Sequence, residues 1–255
     1  MNHIQQIMAR LDESAETLGF NPAEVEQGSY QWFQMRLGVI SASQAVNLLA
    51  KKGSAARDGY LARLVGEIAT GMPQEEVTAK AMAWGKENEP KARQMYEFLT
   101  MEPVSEVPFV YSGASEFGMR CGCSPDGVLT GKRVGIEIKC PFTTKVHIET
   151  ILDSAIKKEY QAQMDFSLMV TGLDGWEFCS FDPRMTRRQL HSIPWDRNDS
   201  RIETMRQATE EFIADMDKAL ISIGFEFGEQ WKSDVKIGAC IDEQQADEES
   251  DFSNF

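Results

Sequence analysis

The sequence predicts an α/β or α+β protein in which a mostly antiparallel sheet lies between helical segments. Apolar residues recur at helical spacing before about residue 100 and again after about residue 200. Between these regions, short runs rich in β-branched and aromatic residues are bounded by turn residues, as is typical of strands. At 255 residues, the chain is long enough to bury a substantial core in one large domain.

The predicted helices cover residues 3–18, a short segment from 22, and residues 29–37, 41–49, 60–71, 79–99, 148–170 and 200–224. Ser29 and Ser41 are residue types that cap helix N-termini. Ser200 and Glu203 have capping-box spacing, and Gly224 suits the end of the last helix. Pro90 is the one residue that disfavours the helix over 79–99, and it predicts a kink there.

The predicted strands cover residues 104–111, the hairpin within 119–141, and residues 176–181. In the hairpin, Asp126 follows a proline, and a turn at 130–133 precedes a β-branched run that carries Glu137 and Lys139. Side chains two residues apart on a strand point to the same face, so this acid and this lysine project together. Strand pairing would bring Asp126 close to both of them.

Two carboxylates and an ammonium group at a strand end can hold a divalent metal and position a water molecule beside it. Metal-assisted phosphodiester hydrolysis needs this arrangement. Spacing alone leaves open the alternative of a surface hairpin with solvated charges.

The composition argues for a soluble protein and against export. The chain is 42% hydrophobic, has no apolar run near the length of a membrane span, and lacks the plan of a signal peptide near residue 1. We therefore expect a cytoplasmic location, in the cytoplasm of a bacterial host, with free cysteine thiols. Cys121-Gly122-Cys123 has no second pair that would complete a zinc site.

The net charge of −14 is unusual for a protein that handles DNA. Much of it lies at the ends, because residues 238–255 contain six acids and no Lys or Arg, and residues 1–28 contain five acids against Arg10. We divide the chain into a helical extension over 1–28, a main domain over 29–237 and an acidic disordered tail over 238–255. A basic channel can coexist with this acidic exterior, since local charge is what steers a polyanion.

Six stretches, in order along the chain, resemble the phage lambda exonuclease family, the YqaJ-like viral recombinases of the PD-(D/E)xK nuclease superfamily. They are Trp32-x-x-x-Arg36-Leu37-Gly38-Val39-Ile40-Ser41-Ala42-Ser43, Ala79-Lys80-Ala81-Met82-Ala83-Trp84-Gly85-Lys86, Cys123-Ser124-Pro125-Asp126-Gly127, Glu137-Ile138-Lys139-Cys140-Pro141-Phe142-Thr143, Asp182-Pro183-Arg184-Met185 and Gly228-Glu229-Gln230-Trp231. The resemblance runs from about residue 26 to 232.

The resemblance implies a PD-(D/E)xK fold with a central mixed sheet flanked by helices. It also implies ATP-independent, processive 5′-to-3′ degradation of one strand of linear duplex DNA by a ring-shaped homotrimer. The implied cofactor is Mg²⁺, two ions per site, with Mn²⁺ as a substitute. The implied partners are duplex DNA with 5′-phosphorylated ends and a phage single-strand annealing protein that uses the 3′ overhangs.

The resemblance also assigns roles to individual residues. The catalytic set is Asp126, Glu137, Lys139, Glu89, Tyr160 and Gln163, and the metal set is Asp126, Glu137, the Ile138 carbonyl and Glu89. The 5′-phosphate set is Arg36, Ser43, Ser124 and Lys145, and the DNA-binding set is Met82, Lys80, Arg120, Lys51 and Lys52. Met82 stands where the family has a leucine that wedges into the duplex end.

The sequence departs from the family at two positions. Gly53 replaces a basic loop residue, so Lys51, Lys52 or Arg57 would have to supply that contact. Lys145 replaces an arginine, which keeps the charge and loses bidentate geometry.

Two other functions stay open on sequence alone. One is a related structure-specific endonuclease or resolvase that uses the same carboxylates and lysine. The other is a DNA-end-binding protein without catalysis. The terminal-phosphate residues argue against the first, and the complete catalytic set argues against the second.

Overall fold

The structure is a computed structural model that describes residues 2–74 and 79–232, with only the backbone described for 79–82. The helices are α1 (His3–Asp12), α2 (Ala15–Leu18), α3 (Tyr30–Arg36), α4 (Ala45–Leu48), α5 (Ala55–Thr70), α6 (Ala79–Thr100), α7 (Thr144–Asp153), α8 (Lys158–Thr171) and α9 (Asp199–Ile223). The strands are β1 (Ile40–Ser41), β2 (Val104–Ser105), β3 (Val110–Tyr111), β4 (Cys121–Cys123), β5 (Gly127–Leu129), β6 (Val134–Lys139), β7 (Gly175–Phe181) and β8 (Leu190–Asp196).

The strands form a five-stranded sheet of order β2-β5-β6-β7-β8 and a three-stranded sheet of order β1-β4-β3. Within the described residues of the larger sheet, the β6–β7 pair is parallel and the other pairs are antiparallel, and α7 and α8 make the crossover between β6 and β7. The sheet is therefore mixed and mostly antiparallel, flanked by helices, as predicted. The hairpin of β5 and β6 is also confirmed.

Helix α8 is the centre of the core. It contacts β3 and β4 of the smaller sheet, β7 of the larger sheet, and α4 and α9. Its buried apolar residues are Ala162, Met164, Phe166, Leu168, Met169 and Val170. Full burial of a side chain such as Phe166 or Leu168 contributes about 1.5–3 kcal/mol, so this packing fixes the helix that carries Tyr160 and Gln163.

Close packing between β6 and β7 depends on Gly135. This glycine lies opposite Trp176 in the parallel register, and the Trp176 ring is almost completely buried. A Cβ atom added at Gly135 would lie 2.6 Å from three ring atoms of the indole. The glycine therefore lets the indole lie flat against the strand that carries Glu137 and Lys139.

Residues 1–28 were predicted to form a helical extension, and this division into domains stays a prediction. Helices α1 and α2 lie in this segment, and α1 packs on β3. Ile7 and Leu11 of α1 are buried at 2% and 0% exposure. His3 Nε2 lies 2.8 Å from the Leu129 carbonyl oxygen, and Arg10 donates a 2.8 Å hydrogen bond to the Val170 carbonyl. The tail over 238–255 lies outside the described residues.

Several local predictions were wrong in detail. The helix over 3–18 breaks after Asp12, and the strand over 104–111 divides into β2 and β3, which belong to different sheets. The cap of α9 is Asn198, whose side chain accepts a hydrogen bond from the Arg201 amide, and not Ser200. Helix α6 continues through Pro90, as predicted.

Strand β8 was not predicted from the sequence. It alternates partly buried and exposed residues, contains Pro194 and, among the strands that the structure describes, pairs with β7 alone. Proline is tolerated at such an edge because one side of the strand needs no ladder hydrogen bonds.

The cysteines at 121, 123, 140 and 179 are free thiols, as predicted. No helix within the described ranges is both long and apolar enough to cross a bilayer.

Candidate active site

The hairpin places Asp126 beside the end of β6. Gly127 pairs with Ile136, so Asp126 lies just beyond the end of the β5–β6 ladder. Its carboxylate accepts a 2.6 Å hydrogen bond from the Ile138 amide. The N–H and C=O groups of one strand residue point to the same side of the strand, so the Ile138 carbonyl faces the same side as this carboxylate.

Glu137 and Lys139 lie next to each other on one face of β6, as their spacing predicted. The Lys139 ammonium group contacts the Glu137 carboxylate directly, and the Glu137 side chain is 2% exposed. Burial alone would lower the pKa of Lys139. The neighbouring carboxylates of Glu137 and Asp126 outweigh that effect and raise the pKa above its usual value.

Glu89 reaches the same site from α6. Burial raises the pKa of Glu89, Arg93 opposes this shift, and Glu137 adds to it. Burial also raises the pKa of Asp126 well above its usual value, and Glu137 and Glu89 raise it further. The three carboxylates therefore repel one another, and a bound cation would relieve this repulsion.

This donor set fits a divalent metal ion, since carboxylate and carbonyl oxygens are the ligands that Mg²⁺ and Mn²⁺ prefer. The buried Ser124 hydroxyl, two residues before Asp126, has no hydrogen-bond partner within the described residues. No group of three His, Cys, Asp or Glu side chains in the described ranges is arranged to hold a metal as it stands. Lys139 and Arg93 instead occupy oxygens of Glu137 and Glu89.

Arg93 is a residue of this site that sequence reasoning missed. Its guanidinium donates 3.0 Å hydrogen bonds to the Asp126 carbonyl and the Glu89 carboxylate, and it lies 2.5 Å from the Glu106 carboxylate. Its side chain is 12% exposed. The spacing of four residues between Glu89 and Arg93 on a predicted helix was the available signal.

Tyr160 lies beside the catalytic lysine candidate. Its ring stacks on Phe178 with centroids 5.5 Å apart, and Lys139 Nζ lies 5.1 Å from its centroid. A small cavity of about 110 Å³ is lined by Tyr160, Lys139 and Lys157, among others. Gln163 follows Tyr160 on α8 and is partly buried.

Arg36 lines a separate cavity of about 230 Å³, together with Ser41 and Arg63. The Arg36 guanidinium lies 3.9 Å from the ring centroid of Trp32. Ser43 is exposed, and its hydroxyl lies 3.3 Å from that of Ser41. The structure thus brings Arg36 and Ser43 to one region through Ser41, and it adds Arg63, which the sequence did not indicate.

This region is connected to the carboxylates through the smaller sheet. Ser41 pairs with Gly122 of β4, and the chain leaves β4 towards Ser124 and Asp126. Lys145, the remaining member of the predicted phosphate set, is 78% exposed at the start of α7, where it lies 3.5 Å from Glu149.

The predicted DNA-binding residues differ in exposure and in their ion pairs. Lys51 is exposed, whereas Lys52 forms a 2.6 Å ion pair with Asp215. Arg120 forms a 2.6 Å ion pair with Asp217, and its guanidinium lies 4.4 Å from the Phe227 ring centroid. The side chains of Lys80 and Met82 lie outside the described residues.

Gly53 replaces a basic loop residue of the family, and the structure reduces the number of residues that could supply the missing contact. Arg57 is 4% exposed, forms a 2.9 Å ion pair with Asp215 and lies over the Phe212 ring. Because the Arg57 side chain is buried and held by these contacts, it does not reach DNA, so Lys51 and Lys52 remain the candidates for the loop contact.

Comparisons with known proteins agree with this architecture. A family model described as the YqaJ-like viral recombinase domain matches residues 31–174. The alkaline exonuclease LHK-Exo from Laribacter hongkongensis is 34% identical with a TM-score of 0.69, over 76% of this chain and 96% of that one. Its structure in complex with dAMP gives 33% identity and a TM-score of 0.70 over the same shares.

Two further proteins match this chain, one over a short segment and the other over most of its length. The protein ExoD of Escherichia coli strain K12 is 46% identical over 78 residues, which are 31% of this chain and 90% of ExoD. A phage related exonuclease from Haemophilus somnus 129PT has 10% identity and a TM-score of 0.54, over 73% of this chain and 96% of that one, and this is a likeness of fold alone. The chain therefore belongs to the YqaJ-like viral recombinase domain family, and this membership together with its PD-(D/E)xK nuclease fold supports a DNA exonuclease.

Proposed function

We propose that this chain is a metal-dependent, ATP-independent 5′-to-3′ exonuclease that degrades one strand of linear duplex DNA processively. The observation that carries the proposal is the convergence of Asp126, Glu137 and Lys139 at the end of the hairpin, with Glu89 beside them. Carboxylates in this arrangement serve phosphodiester hydrolysis because they hold cations where negative charge develops.

When bound, a divalent cation would be held by Asp126, Glu137, the Ile138 carbonyl and Glu89, and it would supply Lewis-acid stabilisation and a bound water of lowered pKa. We take the cation to be Mg²⁺, with Mn²⁺ as a substitute. Lys139 brings three N–H donors and a positive charge to the same edge, where they can orient a water molecule and stabilise a phosphorane-like transition state.

Tyr160 and Gln163 would act on the scissile phosphate from α8. The Tyr160 ring stacks on Phe178 and has Lys139 Nζ 5.1 Å from its centroid, so the stack fixes the ring beside the ammonium group. A fixed ammonium and a fixed hydroxyl hold the reacting groups in one geometry, which lowers the entropic part of the barrier.

The second cavity, which Arg36 lines, supports the proposed 5′-to-3′ direction of digestion. Arg36 and Ser43 would bind a 5′-terminal phosphate, since a guanidinium fork and a hydroxyl suit a dianionic phosphate. Arg63 lines the same cavity and adds a second guanidinium. Ser124 and Lys145 complete the proposed phosphate contacts, and Lys51, Lys52, Lys80, Met82 and Arg120 the contacts to the duplex.

The same proposal extends to assembly and partners. A homotrimeric ring would keep the enzyme on DNA through many cycles, and the 3′ overhangs would pass to a phage single-strand annealing protein in the host bacterial cytoplasm. Light scattering of the full chain measures its oligomeric state, and a monomeric mass would contradict the proposed trimer.

The experiment that tests the function is digestion of a linear duplex with 5′-phosphate or 5′-hydroxyl ends, with and without Mg²⁺. We expect release of mononucleotides from the 5′ end, dependence on the metal, and faster digestion of the phosphorylated duplex. The variant Arg36→Ala should remove the preference for the phosphate while leaving residual metal-dependent cleavage.

A closed circular duplex separates the alternatives. Cleavage of the circle at a rate similar to that of the linear duplex would identify an endonuclease or resolvase. Tight binding of ends without any nucleotide release in Mg²⁺ or Mn²⁺ would identify a catalytically silent end-binding protein.

A further inference from the structure

An aromatic cluster lies next to the catalytic lysine candidate and has no role in the chemistry described so far. It consists of Trp84 on α6, Phe142 in the loop after β6, and Arg184 in the loop after β7, and we call it the aromatic ledge. The Phe142 ring meets the Trp84 ring edge to face, with centroids 6.0 Å apart and an interplanar angle of 87°. Phe142 is 58% exposed.

The ledge is held rigidly by Arg184. The guanidinium lies 4.6 Å from the Trp84 ring centroid and donates hydrogen bonds of 2.9 Å and 3.3 Å to the carbonyls of Phe142 and Pro141. It is itself fixed by 2.8 Å contacts to both oxygens of Asp182, whose side chain is fully buried. Two hydrogen bonds from Arg184 therefore hold the backbone at the exposed Phe142 side chain.

The ledge lies beside the site of cleavage. Phe142 follows Lys139 by three residues, and Pro141 and Lys139 line the same cavity as Tyr160. Trp84 precedes Glu89 by five residues on α6, which corresponds to about 7.5 Å along the helix. Helix α6 packs on β6, so Trp84 lies on a helix that contacts the strand of Glu137 and Lys139.

We propose that Phe142, supported by Trp84 and Arg184, is a stacking site for an unpaired base of the strand that is being cut. An enzyme that cuts one strand of a duplex from its end must separate the terminal pairs, and the released base then exposes its faces to water. Aromatic side chains bind such bases by stacking, with little dependence on sequence. Arg184 covers the Trp84 ring, so Phe142 offers the exposed ring of the ledge.

This inference rests on the proposed exonuclease function, and the test separates the two. The test compares wild type, Phe142→Ala and Phe142→Trp on a 5′-phosphorylated duplex with normal terminal nucleotides and on the same duplex with abasic sites at its two 5′-terminal positions. Phe98→Ala is the matched control, because Phe98 is 75% exposed near the other end of α6. Thermal melting of each variant establishes that it is folded. If Phe142→Ala does not fold, Phe142→Leu takes its place.

On the normal duplex, we expect Phe142→Ala to lose roughly 5- to 150-fold in kcat/KM, which corresponds to one stacked base. Phe142→Trp should retain most of the activity. The abasic duplex should slow the wild type by a similar factor and should not slow Phe142→Ala further, because the variant has already lost the stack. A 2-aminopurine base at the 5′ terminus, bound in EDTA, should be quenched by the wild type and not by Phe142→Ala.

Three results would overturn the ledge as a base-binding site. They are wild-type kcat/KM in Phe142→Ala, additive losses when the variant meets the abasic duplex, and equal quenching of 2-aminopurine by both proteins. A failure of the exonuclease function itself would look different, because the wild type would then not digest the normal duplex.

Discussion

Replacement of Arg93 by methionine removes the cation that links Glu89 to the Asp126 segment, while it keeps a side chain of similar length. Two hydrogen bonds of 3.0 Å are lost, one to the Glu89 carboxylate and one to the Asp126 carbonyl. Arg93 and Glu89 are 12% and 25% exposed, so water replaces these contacts only partly.

The expected loss in the free energy of unfolding follows from these contacts. A hydrogen bond to a charged group contributes about 1.5–3 kcal/mol, and breaking a buried ion pair costs about 3–5 kcal/mol. Glu106 is 75% exposed, and a pair of that kind contributes about 0–1 kcal/mol. We therefore expect Arg93→Met to lower the free energy of unfolding by roughly 3 kcal/mol at neutral pH without metal, at the low end of the buried-pair range.

Urea denaturation in EDTA, followed by circular dichroism, measures this loss. Glu106→Gln is the matched control, since it removes the outer partner and leaves both inner hydrogen bonds, and it should stay within about 1 kcal/mol of wild type. A loss of less than 1 kcal/mol, or an equal loss in Glu106→Gln, would refute the assignment of Arg93 as the main support of this site.

Three other substitutions test separate parts of the structure. Lys139→Ala should lower the cleavage rate by at least about 10²–10³-fold, as for loss of one donor at a developing charge, while binding of phosphorylated duplex in EDTA persists; near-normal cleavage would contradict its role. Leu11→Ala should cost about 2–5 kcal/mol in urea denaturation, because Leu11 is fully buried, whereas the exposed control Asp12→Ala should stay within about 0.5 kcal/mol; equal effects would show that α1 is a loose appendage. Hydrogen bonds from Arg184 lower the pKa of Asp182 to about 2, so this group favours the folded state above the unfolded pKa of about 3.9 and loses that contribution as the pH falls towards 2. The deficit of Asp182→Asn should therefore be largest above about pH 5 and should shrink towards pH 2, and a deficit that does not change with pH would contradict the sign.

The parts of the site that could be predicted from sequence are those that depend on local geometry. Asp126 and Glu137 are eleven residues apart and are joined by one hairpin, so strand periodicity was enough to bring them together. Local rules of this kind also gave the position of α6 and the start of α3 at Ser29, whose hydroxyl accepts a hydrogen bond from the Trp32 amide.

Other features depend on contacts that no local pattern records. The role of Arg93 requires a carbonyl 33 residues further along the chain. Strand β8 exists because β7 offers it a partner, and its own composition, with Pro194 in the middle, argues against a strand. The position of Arg63 beside Arg36 depends on how α5 packs against the loop after α3, which tertiary contacts decide.

The anchoring of α1 also bears on how the chain folds as it is synthesised. The partners of His3 and Arg10 are the carbonyls of Leu129 and Val170, which lie 126 and 160 residues further along. At a synthesis rate of about 5–20 residues per second, α1 leaves the ribosome roughly 10–30 s before its last partner does. During that interval the partners of Leu11, which are Met35, Val39, Phe109 and Tyr111, are already synthesised, whereas Ile7 packs in the core cluster that contains Phe166 and Leu168 of α8. We therefore expect α1 to dock in two stages, with Leu11 covered first and with the contacts of Ile7 and Arg10 completed only when α8 has been synthesised.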